Sequence, residues 1–241
     1  MALSGWTRKC QITVAANKIT TTATDQVLLF TAAHFPSGML TLGGSDACRS
    51  DGNDIRFALD ADATTLLPYD LINISLSATP ANSILVVAIK FPSITANTSF
   101  SFYAHWGNSS ADAPAKTSAS GAATCWSMFY GVIPLKEDPT LYTTANAMWK
   151  CFKESTGNYS SGSKVGAPTQ VAGPVPGMKA LAISTLGGVQ IPEVAATNRG
   201  GFQFAILANV TAPITGAYFA QTNTAASEGF SFDAGVGKVQ Y

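Results

Sequence analysis

Charged side chains are scarce in this sequence. They make up 12% of its 241 residues, with 14 lysines and arginines against 14 aspartates and glutamates. This is about half of the usual share, and the balance leaves no net field that would attract nucleic acid or an anionic membrane. The polar residues are mainly Ser, Thr, Asn and Gly, so we expect an uncharged, hydrogen-bonding surface and no nucleic-acid partner.

Long apolar runs are also missing. No segment approaches the roughly 18 apolar residues of a membrane-spanning helix, and the residues after Met1 lack the apolar stretch of a secretory signal. We therefore expect neither insertion into a membrane nor export. The hydrophobic share of 46% is nevertheless ample for a buried core, which excludes a wholly disordered chain.

Side chains that carry acid–base catalysis are few. The only histidines are His34 and His105. A histidine base needs an orienting carboxylate and a nucleophile, and neither histidine has such partners nearby in sequence. The glutamates show no spacing typical of a glycosidase pair, and no glycine-rich loop leads into a phosphate-binding lysine. The sequence therefore predicts no catalytic residue, no cofactor and no enzymatic activity, with His105 as a surface or interface histidine.

The four cysteines have no spacing typical of a zinc site, and no histidine lies close to them in sequence. Without export we expect four free thiols, the alternative being two disulfides. The cysteines are Cys10, Cys48, Cys125 and Cys151.

An acidic, glycine-containing stretch runs from Asp46 to Asp62. Loops rich in oxygen ligands can bind Ca²⁺, but the spacing of these aspartates fits no EF-hand. Aspartate side chains also accept hydrogen bonds from the local backbone in turns. We interpret the stretch as a set of turns rather than as a metal site. Within it, Asp54 and Arg56 fall on one face of a predicted strand, where an ion pair between them would be worth little at the surface.

What the sequence does have is alternation of apolar and polar residues with a period of two, which is typical of β-strands. In the segment 100–106, Phe102 and Trp106 share one face, and Tyr103 and His105 share the other. Residues 84–89 are continuously apolar, which predicts a central strand covered on both faces. Four prolines stand at the ends of such runs, where a missing N–H harms a sheet least. They are Pro36, Pro68, Pro80 and Pro92.

These patterns predict an all-β protein, an antiparallel β-sandwich of jelly-roll type with two β modules. Residues 109–124 contain no large apolar side chain, so we predict a first domain over 1–113, a linker over 114–124 and a smaller β-rich domain over 125–241. In the second domain, residues 141–152 fit a short helix or an irregular strand equally well. The predicted core residues are Trp6, Ile55, Phe57, Phe100, Phe102, Trp106, Phe202, Phe204, Phe230 and Phe232.

A series of short motifs occurs in a fixed order along the first half. After Trp6 and the Arg8-Lys9 pair come Asp-Ile-Arg-Phe at 54–57, Leu-Leu-Pro-Tyr at 66–69, Lys-Phe-Pro at 90–92 and Trp-Gly-Asn at 106–108. This order resembles an uncharacterised β-sandwich domain family found in bacteriophage structural proteins and in some bacterial surface proteins. The usual Tyr-Tyr-Gly-Asn ending appears here as Ala-His-Trp-Gly-Asn. The second half is loosely similar to part of a laminin-G/concanavalin-like domain.

The resemblance implies a non-enzymatic virion structural protein of the tail tip or tail fibre, located in the virion and assembled in the host cytoplasm. Its partners would be other virion proteins. The alternatives are a capsid decoration protein and a glycan-binding module of a bacterial surface protein. Because charges that would protect sheet edges are few, we also expect a homo-oligomer, with a trimer favoured.

A ligand or interface surface is the remaining candidate. Aromatic rings can stack on sugars because they join an apolar face to a polar edge, although core packing is the commoner role of such residues. With His105, the residues of this surface, which a host-surface glycan would contact, are Tyr103, Trp126, Tyr130 and Tyr142.

Overall fold

Antiparallel strands dominate the computed structural model. It describes residues 3–128 and, beyond them, 149–150, 161–165, 167, 169–173, 175–182, 188–190, 217–222, 229–233 and 238–240. The chain divides into two units, Met1–Ala195 and Ala196–Tyr241, and each is treated by itself below.

The first sheet of the first unit has the order β1-β6-β3, with all pairs antiparallel. Its strands are β1 (Arg8–Val14), β3 (Arg56–Ala58) and β6 (Phe100–Trp106). His105 on the middle strand lies between Lys9 of β1 and Arg56 of β3 in the register. Side chains of these three residues therefore share one face of the sheet.

The second sheet has the order β2-β5-β4, again antiparallel. Its strands are β2 (Ala23–Thr31), β4 (Tyr69–Ser75) and β5 (Ile84–Ile94). The middle strand β5 carries the continuous apolar run, and residues 85–89 are at most 1% exposed. The prediction of a central strand covered on both faces is confirmed, because alternate residues of β5 belong to two different apolar clusters.

The larger cluster lies where side chains of the two sheets meet. The Phe102 ring of the first sheet packs 5.0 Å from the ring of Phe30 and 5.2 Å from that of Phe91, both in the second sheet. Phe57 packs edge-on against Tyr69 at 5.0 Å. Burying each such ring contributes several kcal/mol. The all-β prediction is confirmed, and the arrangement is β-sandwich-like.

Most of the predicted core residues of this half belong to that cluster: Ile55, Phe57, Phe102 and Trp106 are buried in it. Phe100 is half-buried against it. Trp6 differs from the prediction: it is half-buried outside the cluster and packs on Arg56.

The outer face of the second sheet is covered by residues from further along the chain. Helix α1 (Ala122–Cys125) and Trp126 pack on Ile72, Val86 and Ala88. The end of the segment predicted as a linker therefore packs on the sheet, within the compact unit Met1–Ala195. The predicted domain boundaries stay a prediction. Small side chains allow this close approach of the helix backbone, so the absence of large apolar residues did not indicate a free linker.

The position of Pro92 also differs from the prediction. It lies inside β5 and not at its end. Opposite it, Asp25 of β2 has a φ of 54° and interrupts the pairing, which resumes at Thr24 and Ser93. Strand β4 does not reach this part of β5. The missing N–H is tolerated because the ladder is already broken there.

Short 3-10 helices lie in the connections, at Ala16–Lys18, Ala32–His34, Ser37–Leu40 and Pro80–Asn82. The remaining strands of the first unit are β7 (Trp149–Lys150), β8 (Ser161–Val165), β9 (Thr169–Ala172), β10 (Lys179–Ala182) and β11 (Gly188–Gln190). They form one sheet of order β11-β8-β7 and one of order β10-β9.

The second unit contains β12 (Ala217–Thr222), β13 (Gly229–Asp233) and β14 (Lys238–Gln240), in the order β12-β13-β14. The alternating Phe230 and Phe232 lie in β13, as predicted for a strand. Phe202 and Phe204 lie outside the described residues, so their place in the core stays a prediction.

Candidate functional site

The two described aromatic residues of the proposed surface, Tyr103 and Trp126, lie on different sheets. Tyr103 is on the outer face of the first sheet, since its neighbours Phe102 and Ala104 point into the core. Trp126 packs on the outer face of the second sheet. Tyr130 and Tyr142 lie outside the described residues. The structure thus does not bring Tyr103 and Trp126 together.

Trp126 is buried rather than displayed. Its exposed fraction is 9%, and its Nε1 donates a hydrogen bond to Oδ2 of Asp70 at 2.9 Å. The indole therefore anchors the segment after α1 to β4. A ring held in this way presents no open face to a sugar, which corrects the expectation that it belongs to a ligand surface.

Asp54 is the centre of a polar anchor on the first sheet. Its carboxylate is buried and accepts the backbone N–H of Arg49 and that of Gly107, each at 2.9 Å. These bonds tie the loop before β3 to the residue after β6. The sequence suggested an ion pair with Arg56, but the described hydrogen bonds of the Asp54 carboxylate go to the backbone instead.

Arg56 is buried as well, and its guanidinium donates to backbone carbonyls. The acceptors are Asn53 at 2.8 Å, Ile55 at 2.6 Å and Asp112, which lies in the segment after β6. It also donates to the hydroxyl of Tyr69 at 3.2 Å, and that hydroxyl donates to the Ile55 carbonyl at 2.5 Å. Burial raises the pKa of Tyr69 to about 12, although Arg56 opposes the shift.

Trp6 completes this group from the N-terminal side. Its Nε1 donates to the carbonyl of Asp54 at 2.5 Å, and the guanidinium carbon of Arg56 lies 5.1 Å from the centre of its ring, within the range of a cation–π interaction. We call Trp6, Asp54, Arg56 and Tyr69 the anchor cluster. Three of these residues belong to the sequence motifs at 54–57 and 66–69.

Next to the anchor cluster, the outer face of the first sheet bears a cleft of about 380 Å³. Its walls come from the N-terminal segment, β1, the loop after β3 and the end of β6. We call it the His105 cleft. The residues that line it are Leu3, Trp6, Thr7, Arg8, Lys9, Ala61, Asp62, Ala63 and His105.

His105 forms part of the cleft wall and is only 5% exposed. It is therefore not the surface histidine that the sequence suggested. Burial lowers the pKa of its ring, although a hydrogen bond to the backbone carbonyl of Asp60 opposes the shift. Within the described part of the chain, Nε2 has no hydrogen-bond partner.

Lys9 crosses the sheet beside His105. It lies opposite His105 in the register, and its ammonium reaches the loop after β3, where it donates to the Ala61 carbonyl at 3.0 Å and lies 4.0 Å from the Asp62 carboxylate. The lysine side chain therefore spans the middle strand above the imidazole. Alternation alone could not reveal this arrangement, because it requires the pairing of β1 with β6 and the position of the 59–65 loop.

The acidic stretch forms turns, as predicted. The Asp60 carboxylate accepts backbone N–H groups of Thr64 and Thr65 at 2.9 Å and of Asp62 at 3.2 Å, and the bonds from Thr64 chiefly lower the pKa of Asp60, to about 2. Asp51 accepts the N–H of Asn53 at 3.0 Å. Among the residues that the structure describes, no group of histidines, cysteines and acids has the makings of a metal site.

The cysteines within the described ranges are thiols: Cys10, Cys48 and Cys125. Burial raises the pKa of Cys48 and of Cys125 to about 12. Both side chains pack in the apolar clusters. Cys151 lies outside the described residues.

No family model, no curated protein and no solved structure matches the chain. The resemblance to the β-sandwich family of bacteriophage proteins therefore stays a prediction. In the described part of the chain, no helix combines the length and the apolar character that crossing a bilayer requires.

Proposed function

We propose that this chain is a non-enzymatic structural protein of a bacteriophage virion, located at the tail tip or in a tail fibre and assembled in the host cytoplasm. The observation that carries the proposal is the anchor cluster. Its carboxylate, guanidinium and phenol groups, together with the Trp6 indole, bond chiefly to backbone atoms of the loops around the first sheet.

The anchor cluster supports the family resemblance in a specific way. The motifs at 54–57, 66–69 and 106–108 are separated in sequence, yet the first motif bonds to both of the others: Tyr69 bonds to Ile55 and Arg56, and Gly107 bonds to Asp54. This is the behaviour expected of an architectural signature, in which each motif is required for the same set of loop connections. The virion role is inferred from that resemblance, which the anchor cluster supports.

An edge strand of the second sheet, β2, supports assembly with other chains. Strand β2 is nine residues long, contains Asp25 as its one charged residue and lies at an edge of the sheet, with no described strand paired to its outer side. Leu29 of this strand is 44% exposed. An edge of this kind is a template for further pairing, which favours a homo-oligomer, a trimer by our proposal, or contacts with other virion proteins.

The direct test is detection of the chain in particles. Antibodies raised against it should label the tails of purified phage in immunogold electron microscopy, and its peptides should be found in gradient-purified virions by mass spectrometry. Label on the capsid shell would support the decoration protein instead. Absence from purified particles, together with presence in a host envelope fraction, would contradict the virion proposal.

A glycan-binding module of a bacterial surface protein is the second candidate, and the His105 cleft is the observation that favours it. A carbohydrate ligand and a virion role are compatible, since tail proteins contact host-surface glycans. Gene order separates the two candidates, because a virion protein is expected between capsid and tail genes.

A further inference from the structure

We propose that the His105 cleft binds a neutral, hydroxyl-bearing ligand of the size of a sugar ring, held by a hydrogen bond between a ligand hydroxyl and Nε2 of His105. The proposal goes beyond the virion role, because the cleft belongs to the chain whether or not the chain is assembled into a particle. Its volume of about 380 Å³ is within the range of small-ligand sites.

One imidazole nitrogen of His105 has no hydrogen-bond partner. His105 is 5% exposed, it lines the cleft, and its Nε2 has no partner in the described part of the chain. Each nitrogen of a neutral imidazole is either a donor or an acceptor. Buried polar groups are normally satisfied. A ligand hydroxyl can both donate and accept, so it suits Nε2 in either tautomer.

The cleft is lined by both apolar and polar side chains. Leu3 and Trp6 are apolar or aromatic, and Thr7, Lys9 and Asp62 carry polar groups. A sugar ring presents apolar C–H groups on one side and hydroxyls along its edge, so it can use both kinds of wall.

The two cationic side chains that line the cleft are each already paired with an acidic side chain. Arg8 lies 2.8 Å from the Asp46 carboxylate, and Lys9 lies 4.0 Å from that of Asp62. A phosphate or carboxylate would have to compete with these acids for the cations. The pairing therefore favours a neutral ligand over an anionic one.

A side chain must move when the ligand enters, because the Nε2 atom has almost no accessible surface. Lys9 lies opposite His105 in the register and reaches the loop after β3, so it is the side chain that we expect to move. Lys9 is 52% exposed and is held by one carbonyl and by a carboxylate at 4.0 Å. Such contacts near the surface are weak, so a rotation of this flexible side chain is sufficient to uncover the nitrogen.

The experiment is an NMR titration of the purified chain with methyl glucoside, methyl galactoside and N-acetylglucosamine. The ¹⁵Nε2 signal of His105 reports directly on a new hydrogen bond at this nitrogen. We expect it to shift on saturation with at least one of these sugars, together with the Trp6 indole signal. Glucose 6-phosphate serves as the anionic comparison and should bind no more tightly than its neutral counterpart.

Variants make the test specific. His105→Phe fills about the same space without a polar nitrogen and should weaken sugar binding about tenfold, as expected for a lost hydrogen bond. Asp62→Asn changes a carboxylate that is 85% exposed, so it should affect folding little; because it loosens the hold on Lys9, it should not weaken binding. Tyr103→Phe is the matched control, because Tyr103 shares the strand face with His105 but does not line the cleft.

Three results would overturn the proposal. One is the absence of any shift of the His105 or Trp6 signals with all three neutral sugars. Another is undiminished binding by a folded His105→Phe variant. The third is much tighter binding of glucose 6-phosphate, which would show that the cleft recognises charge. None of these results would bear on the presence of the chain in virions, which particle labelling tests separately.

Discussion

Asp54 and Gly107 are 53 positions apart in sequence, and the carboxylate of one accepts the backbone N–H of the other at 2.9 Å. The same carboxylate accepts the N–H of Arg49. Gly107 has a φ of 88°, which a residue with a side chain rarely adopts. The end of β6 is thus fixed by a glycine turn and by a distant aspartate together.

Removal of that carboxylate should destabilise the first unit strongly. Asp54→Ala leaves two backbone N–H groups without their charged acceptor, and we expect a loss of about 3 kcal/mol in the free energy of unfolding. Asp51→Ala is the control, since Asp51 is exposed and bonds only within its own turn region; it should cost under about 1 kcal/mol. Urea unfolding curves measure both, and equal losses would contradict the structural role of Asp54.

Trp106 should contribute more to the stability of the fold than its neighbour His105. Its ring is in the core and its Nε1 donates to the Asp46 carbonyl at 2.6 Å. Trp106→Ala should cost roughly 3–5 kcal/mol, out of the 5–15 kcal/mol typical of a domain. His105→Ala removes one donor to a carbonyl and should cost about 1–2 kcal/mol. Thermal melts that show equal, small losses would mean that the strand register is wrong.

Alanine substitutions at two glycines separate the energetic cost of a steric clash from that of backbone strain. Both Gly43 and Gly52 have positive φ, 76° and 69°. An added Cβ meets nothing within 4 Å at Gly43, whereas at Gly52 it collides with Leu71 and lies 3.2 Å from Ile74. Gly43→Ala should therefore cost about 1 kcal/mol from φ alone, and Gly52→Ala clearly more. Chemical denaturation of the two variants provides the comparison, and a milder effect at Gly52 would be inconsistent with its packing.

Stability should fall as the pH rises above about 9. The thiols of Cys48 and Cys125 have pKa values raised from 9.0 to about 12 by burial. Between these values the unfolded chain loses protons that the folded chain keeps, so the free energy of unfolding decreases with pH. The Cys48→Ala/Cys125→Ala variant should show a shallower decrease between pH 8 and 11 in denaturation experiments. A slope identical to that of the parent chain would argue against buried thiols.

Substitution of the exposed Leu29 tests whether copies of the chain assemble through β2. If this edge pairs with another copy of the chain, size-exclusion chromatography with light scattering should give a mass that is a multiple of 25.0 kDa. Leu29→Lys places a charge on the edge strand and should shift the mass toward the monomer. Val171→Lys is the matched control, since Val171 has a similar exposed fraction, 40%, on another sheet. A parent chain that is monomeric at high concentration would refute the oligomer.

Alternation was sufficient to predict several elements of the fold. Because side chains of a strand alternate between two faces, the placement of Phe102 and Trp106 in the core followed from the sequence alone. The continuous apolar run of β5 likewise indicated its central position. The packing of α1 on the sheet could not be predicted, because small residues such as Ala123 are as compatible with a linker as with close packing.

The arrangement of the candidate site could be predicted only in part from the sequence. The face of His105 was predictable, but its burial was not, since it depends on Lys9 from β1 and on the loop after β3. The backbone carbonyls that accept hydrogen bonds from Arg56 could not be predicted either. Every residue has a carbonyl group, and the sequence does not show which of them a side chain reaches. Contacts of this kind follow from the order of strands in a sheet, which local patterns do not specify.

The strand order β1-β6-β3 also constrains how the chain is synthesised and folded. The middle strand is the last of the three to be made, so β1 and β3 have no partner in this sheet until Trp106 has left the ribosome. Up to that point their edges and apolar faces are unprotected, and a nascent chain in this state is prone to aggregation. Long-range pairing of this type also slows folding. Stalled or truncated products that end before β6 should therefore accumulate as insoluble material or require a chaperone.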